Sequence, residues 1–291
     1  MTRFSITPLG PFSLRESVEF GFGQRHADTF DGSMRMAFCV DGDGYGRQAG
    51  VLVRQDRDGI VRGEMTGNAD PDTVRDQVAR VLSLDRDARE FVAIGDRDPV
   101  MRRLLDAAPG LRPPLFYSPY EAAMWSVLSA RRPAMQMAKV RDRLSREHGA
   151  VFNLGGREIA TLPSPEQMLE IESFPGIPDL KLRRMQNVAE AALRGDLDVD
   201  RLRPMDPADA MQALQQLEGI GPFYSSLIVI RSLGHTDVLP ENEPHALAEA
   251  GRLYNLGHNA TPDEFRAMAE NWRPFRTWAT VLLRAAGQRI E

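Results

Sequence analysis

With 291 residues, 42% hydrophobic and 26% charged, the chain is long enough for one large domain or two ordinary ones. Its single cysteine, Cys39, excludes an intramolecular disulfide, a cysteine-rich zinc site and a four-cysteine iron–sulfur cluster. A formal net charge of −5 argues against a protein that coats nucleic acid, but leaves room for one that grips a short stretch through a local patch.

The first hundred residues read as mixed α and β. Residues 36–40 and 50–54 have the composition of short strands, and Asp56-Arg57-Asp58-Gly59 is a turn signal leading to a third strand at 60–65. Asp70-Pro71 opens a helix whose Val74, Val78, Val81 and Leu82 recur at i, i+4, i+7 and i+8. A sheet with helices laid on one face fits this order, and no catalytic constellation stands out in it. The stretch from Asp98-Pro99 to Pro113-Pro114 marks a boundary, which gives an N-terminal α/β domain over 1–105 and a second domain over 106–291.

Beyond that boundary, helix start signals repeat. Ser118-Pro119-Tyr120-Glu121, Ser164-Pro165-Glu166-Gln167 and Thr261-Pro262-Asp263-Glu264 all read as capping boxes with proline at the first helical position. Further helices are expected near 134–147, 179–194, 244–254 and 274–287. No strand signal of comparable quality follows Gly149, so the second domain reads as all-α. Between 131 and 146 lie Arg131, Arg132, Lys139, Arg141, Arg143 and Arg146 against Asp142 alone, a pattern that a solvated helix face would also show. No apolar run reaches membrane-span length and the N-terminus lacks a signal-peptide layout, so a cytoplasmic protein with no membrane partner is expected.

The most informative stretch is 217–226, Leu-Glu-Gly-Ile-Gly-Pro-Phe-Tyr-Ser-Ser. A helical pattern with Asp206 as N-cap and Met211, Leu214 and Leu217 on one face runs into it. Another opens at Pro222, carries Leu227, Ile228, Ile230 and Leu233, and stops at Gly234. Without side chains at Gly219 and Gly221, a phosphate oxygen can approach the backbone N–H groups, and the following helix N-terminus adds free donors and its positive dipole end. An ordinary helix–turn–helix corner with a glycine C-cap has the same local pattern.

About twenty residues on comes Asp237-Val238-Leu239-Pro240-Glu241-Asn242-Glu243-Pro244-His245. The hairpin and this segment together resemble the helix-hairpin-helix DNA glycosylase superfamily, most closely the bacterial 3-methyladenine DNA glycosylase II family. The resemblance extends to residues 121–128, to 177–193 with Gly195-Asp196-Leu197-Asp198, and to Trp272-Arg273-Pro274-Phe275-Arg276-Thr277-Trp278-Ala279. It implies an α+β fold, with a TATA-binding-protein-like α/β sheet domain ahead of an all-α helix-hairpin-helix core.

The resemblance also implies a monofunctional DNA glycosylase that excises damaged, alkylated bases from duplex DNA by hydrolysing the N-glycosidic bond in base excision repair. Glu243 occupies the position of the family's catalytic aspartate, with Glu241 two residues away and Asn242 matching only under a one-residue shift. A carboxylate there stabilises the oxocarbenium character that develops on the sugar, and orients the attacking water. Gly219, Ile220 and Gly221 would hold the DNA backbone. Arg131 falls where the family inserts a wedge beside the flipped nucleotide; it fills that gap, or it and Arg132 both meet phosphates. Phe223, Trp278, Leu227 and Arg284 are the base-pocket candidates, with Tyr224, Trp272 and Phe275 as further candidates that are as readily core. Phe223 also stands where bifunctional members carry a Schiff-base lysine, so no β-lyase step is expected. His245 is a candidate base partner, or a structural residue of its helix.

No organic cofactor and no side-chain metal site are signalled, and nothing resembles a dimerisation seam, so a monomer is expected. The alternative function is a non-catalytic lesion-binding protein of the same fold, since glutamate replaces the family's aspartate. A Glu243 carboxylate facing an open cleft suits the enzyme, whereas one locked to a neighbouring arginine suits the binder. A helical protein-interaction module without nucleic acid would need the hairpin resemblance to be accidental.

Overall fold

The computed structural model describes residues 2–21 and 30–290. Strand β1 (Thr2–Ile6) and helix α1 (Leu14–Phe20) precede β2 (Met34–Cys39), β3 (Gln48–Gln55), β4 (Val61–Gly67) and α2 (Pro71–Val81). The strands form an antiparallel sheet in the order β1-β4-β3-β2. Alternation along the pleat puts Met36 and Phe38 of β2, Val51 and Val53 of β3, and Val61 and Met65 of β4 on one face. There they pack with Val74, Val78 and Val81 of α2. Asp70 starts that helix by accepting the Thr73 N–H at 2.8 Å, with Pro71 at the first turn, as the sequence indicates.

The other face of the sheet is covered too, and here the all-α reading of the chain after Gly149 needs correction. Strands β5 (Val151–Leu154) and β6 (Arg157–Ala160) form a hairpin about Gly155-Gly156, whose φ values of +60° and +81° suit a two-residue turn that glycine adopts without strain. Phe152 lies so close over Gly50 that a Cβ there would sit 2.6 Å from the ring. Arg35 Nε donates to Leu154 O at 2.9 Å and Gln48 Nε2 to Thr161 Oγ1 at 2.8 Å, fastening the hairpin region to the sheet. Covered on both sides, β2 and β3 are apolar almost continuously rather than in alternation.

Helices α3 (Arg89–Val92), α4 (Pro99–Ala107), α5 (Pro119–Ser129), α6 (Ala134–His148), α7 (Pro165–Leu169), α8 (Asp179–Leu193), α9 (Val199–Leu202), α10 (Pro207–Leu214), α11 (Pro222–Ser232), α12 (Pro244–Leu253), α13 (Pro262–Ala269) and α14 (Arg276–Ala286) make up the remainder. Ser164 and Thr261 form full capping boxes. Ser118 does not. It accepts the Glu121 N–H, but the buried Glu121 carboxylate turns away to accept the Cys39 N–H at 3.2 Å and to meet Arg141 at 3.3 Å. In place of a box there is a tie between sheet and helices.

Two helical cores result. One gathers α5, α6, α8, α10 and α11 around Leu128, Leu144, Met185, Val188 and Ile228. The other joins α4 to α12, α13 and α14 through Leu104, Ala250, Phe265, Trp272 and Leu282. The expected division between residues 105 and 106 thus falls within α4, which packs against the far end of the chain. Among the described residues, no helix is long and apolar enough to cross a membrane.

Candidate active site and nucleic-acid interface

The hairpin between α10 and α11 is built around the buried side chain of Ile220, which plugs the first helical core while its N–H closes on Leu217 O at 3.0 Å. Ile220 therefore offers backbone alone to a ligand. Gly219 has φ +93°, and a Cβ there would lie 3.1 Å from Arg184 Cδ, so both conformation and space call for glycine. Gly221 is extended and caps α11, and a Cβ there would meet nothing within 4 Å, which leaves the helix N-terminus open to an incoming anion. No acidic side chain sits in the first turn to compete for those N–H groups.

Phe223, in the same turn, is 71% exposed and packs edge-on against Tyr224. Leu227, one turn further along, is half-buried against the first core.

A second turn, between α5 and α6, carries Arg131 and Arg132. Both are exposed, and neither guanidinium has a partner among the described residues. Arg131 has φ +57°, a left-handed conformation that costs a residue with a Cβ about 1–2 kcal/mol. Lys181 of α8 donates from Nζ to the carbonyls of Leu128 and Ala130, at 2.7 and 2.8 Å, just before it. The rest of the basic stretch is largely committed. Arg141 pairs with buried Glu121, Arg143 donates to Pro175 O, and Arg146 pairs with Asp142. Lys139 remains exposed. The positive patch seen in sequence thus contracts to Arg131, Arg132 and Lys139.

Three carboxylates follow α11 on the connection to α12, and their partners separate them. Asp237 is gripped by Arg276 at 2.9 Å and Arg273 at 2.8 Å. Glu241 is held bidentately by Arg266, Nε to Oε1 at 3.1 Å and Nη2 to Oε2 at 2.6 Å, and this hydrogen bonding keeps its carboxyl below the usual range. Glu243 is the N-cap of α12: its Oε2 accepts the Ala246 N–H at 2.7 Å. Arg284 of α14 approaches the same oxygen, with Nε at 3.3 Å. Oε1 accepts no hydrogen bond from any described residue. Glu243 is thus fixed in place with one oxygen uncommitted. Asn242 and His245 beside it are exposed, and no hydrogen bond joins His245 to the carboxylate.

The four pocket candidates do not assemble as one wall. Phe223 and Leu227 share a face of α11, and Arg284 lies on Glu243. Trp278, only 2% exposed, is sealed between Phe91 and Phe275 in the second core and has no face left for a base. Trp272 is likewise buried, donating from Nε1 to Asp98 Oδ2 at 2.9 Å, and Phe275 is core as well. No group of three or more His, Cys, Asp and Glu able to hold a metal occurs among the described residues. Burial pushes the Cys39 thiol far up, which leaves it unreactive.

Comparison with known proteins supplies the context for this geometry. No family model matches the chain. Over 208 residues it is 29% identical to a probable bifunctional transcriptional activator/DNA repair enzyme AlkA of Mycobacterium tuberculosis, covering 69% of this chain and 40% of that protein. It is 27% identical over 183 residues to DNA-3-methyladenine glycosylase 2 of Escherichia coli, covering 62% of this chain and 61% of that one. The 3-methyladenine DNA-glycosylase structure from Archaeoglobus fulgidus superposes with a TM-score of 0.75 at 19% identity, over 99% of both chains. The chain is thus similar in sequence to DNA-3-methyladenine glycosylases and shares the fold of the archaeal one. It spans about two fifths of the length of the mycobacterial relative.

The sequence alone did not single out Lys181, Arg184 or Arg266. Lys181 lies inside the 177–193 segment that carries the resemblance, but its role depends on α8 crossing the end of α5, a contact about fifty residues apart in sequence. Arg184 reaches Glu218 Oε1 at 2.9 Å beside the hairpin, again across elements.

Proposed function

We propose that the protein is a monofunctional DNA glycosylase, acting as a monomer in the cytoplasm, that releases alkylated bases from duplex DNA and leaves an abasic site. The observation that carries this reading is the state of Glu243: alone among the three carboxylates of the 237–243 connection, it keeps an oxygen without a partner while its other oxygen is anchored on a helix N–H. Two relatives named as 3-methyladenine glycosylases, from Escherichia coli and Archaeoglobus fulgidus, support the substrate class.

In this mechanism the open α11 N-terminus at Gly219-Ile220-Gly221 holds a backbone phosphate, independent of sequence. Arg131 and Arg132 enter the duplex beside the lesion and occupy the space left by the extruded nucleotide. Unstacking is least costly at a damaged base, so the flip itself contributes selectivity. As the C1′–N bond lengthens, positive charge develops on the sugar and Oε1 of Glu243 stabilises it. A water attacks C1′, its proton passes to the carboxylate or solvent, and the base departs with the bond's electron pair. The Ala246 N–H fixes the carboxylate, so little reorganisation is needed as charge develops.

The Arg284–Glu243 ion pair favours a second reading, a lesion-binding protein without hydrolysis. Base release from methylated duplex by wild type, Glu243→Gln and Glu243→Asp separates the two. The enzyme releases base, and Glu243→Gln loses at least about 100-fold in rate. Glu243→Asp, with its carboxylate drawn back by about 1 Å, loses on the order of 100-fold. Salt-sensitive binding by wild type with no release at any enzyme concentration would establish the binder.

A further inference from the structure

We infer that Lys181 is a positioning residue, which acts through the α5–α6 turn to hold Arg131 and Arg132 in their DNA-facing geometry; this rests on the glycosylase reading above. The last carbonyls of an α-helix lack intrahelical partners. At the end of α5, two carbonyls in this region, those of Leu128 and Ala130, are taken by one ammonium from another helix. The very next residue is Arg131 in the left-handed conformation. A non-glycine residue holds that conformation only where its surroundings impose it, and such positions cluster at functional sites.

The ammonium is kept there against opposition. Burial, and after it the guanidiniums of Arg132 and Arg184, push the Lys181 pKa down, yet both of its hydrogen bonds are short. With its donors on protein carbonyls, Lys181 is not arranged to meet a phosphate. One turn along α8, Arg184 pairs with Glu218, and Asn187 Nδ2 reaches the other oxygen of the same carboxylate at 3.4 Å. Val127 of α5 comes within 3.8 Å of the position a Gly219 Cβ would take, so the glycine hairpin packs on α5 about one helical turn before the arginine turn. One face of α8 therefore braces both: Lys181 the arginine turn, Arg184 and Asn187 the glycine hairpin.

A double-mutant cycle tests this. Wild type, Lys181→Met, the Arg131→Ala/Arg132→Ala pair and the triple variant are compared for single-turnover base release and Kd on duplex carrying a methylated base, with thermal unfolding of each recorded. Lys181→Met is expected to weaken release and binding by about tenfold, as a displaced DNA-facing loop should. In the Arg131→Ala/Arg132→Ala background the same substitution is expected to change either quantity by less than about twofold, because the groups it positions are gone. Lys181→Arg, which keeps donors on a longer stem, is expected to recover part of the activity.

Losses that multiply across the cycle would mean that Lys181 meets DNA itself, and would overturn the proposal. So would a fall in Tm with DNA binding and release unchanged, the mark of a plain helix cap. If wild type binds duplex without releasing base, the glycosylase reading fails, while the cycle on Kd still decides the role of Lys181.

Discussion

Arg131 joins backbone cost to a proposed DNA-facing role in a single residue. Its φ of +57° is one that glycine adopts freely, so Arg131→Gly is expected to raise stability by up to about 1 kcal/mol while weakening DNA binding. Chemical denaturation and Kd measured on one preparation check both directions. Gly219 is the converse case. A methyl group there meets Arg184 at 3.1 Å in a left-handed backbone, so Gly219→Ala is expected to cost about 1 kcal/mol or more and to disturb the Arg184–Glu218 pair. Glu243→Ala removes an N-cap as well as the proposed catalytic carboxylate. Its stability loss is expected to be about 1 kcal/mol, small beside the loss of base release.

Among the elements, the connection over 236–243 is held by Thr277, by Leu239 against the second core and by arginines on its carboxylates, and the arginine part is sensitive to acid. The Arg266 hydrogen bonds lower the Glu241 pKa in the folded state. The unfolded chain then binds the proton more readily, so the stabilisation is fully present above the ordinary value of 4.5 and is lost as pH falls through the lowered one. The Tm difference between wild type and Glu241→Gln is therefore expected to be constant above about pH 5 and to shrink steadily below about pH 4.

Elements also show what could be read from sequence alone. The helix starts at Asp70, Ser164 and Thr261, and the glycine hairpin, depend on neighbours three or four residues apart, and those patterns are visible in a string of letters. The β5–β6 hairpin also had a local signal, the Gly155-Gly156 pair, but its strands are four residues each with little alternation, and their burial comes from a sheet about a hundred residues earlier. Glu121 looked like a capping partner because nothing local reveals that Cys39 N–H and Arg141 would claim its carboxylate. Trp278 likewise stands in a segment that resembles the family signature, whereas its surroundings, Phe91 and Phe275, are set by how α14 folds back on the start of the helical region. Local chemistry was legible, and the sorting of aromatics between core and surface was not.

For the whole molecule, the proposed binding of DNA by an acidic chain through a few groups should show a shallow salt dependence. Removing Arg131 and Arg132 together is expected to lower the slope of log K against log salt by about 0.9 for each phosphate that is no longer neutralised, with little effect on sequence preference. Titrations at several salt concentrations measure this directly. The tie from Glu121 to the sheet and the cover of Phe152 over Gly50 make the N-terminal strands part of the same structure as the helices. Phe152→Ala uncovers that face and is expected to lower the thermal midpoint of the whole protein by several degrees in a single transition.

The hydrogen bond from Ala246 N–H to Glu243 Oε2 gives the site a reporter that needs no label on the DNA. An amide proton donating to a carboxylate shifts its resonance when that carboxylate is displaced or drawn toward a cation. The Ala246 cross-peak in a nitrogen–proton spectrum should therefore report on the Glu243 carboxylate itself. Followed while damaged duplex is added, the same peak would reveal whether the anchor persists once the sugar arrives, which separates a rigid active site from one that completes itself on binding.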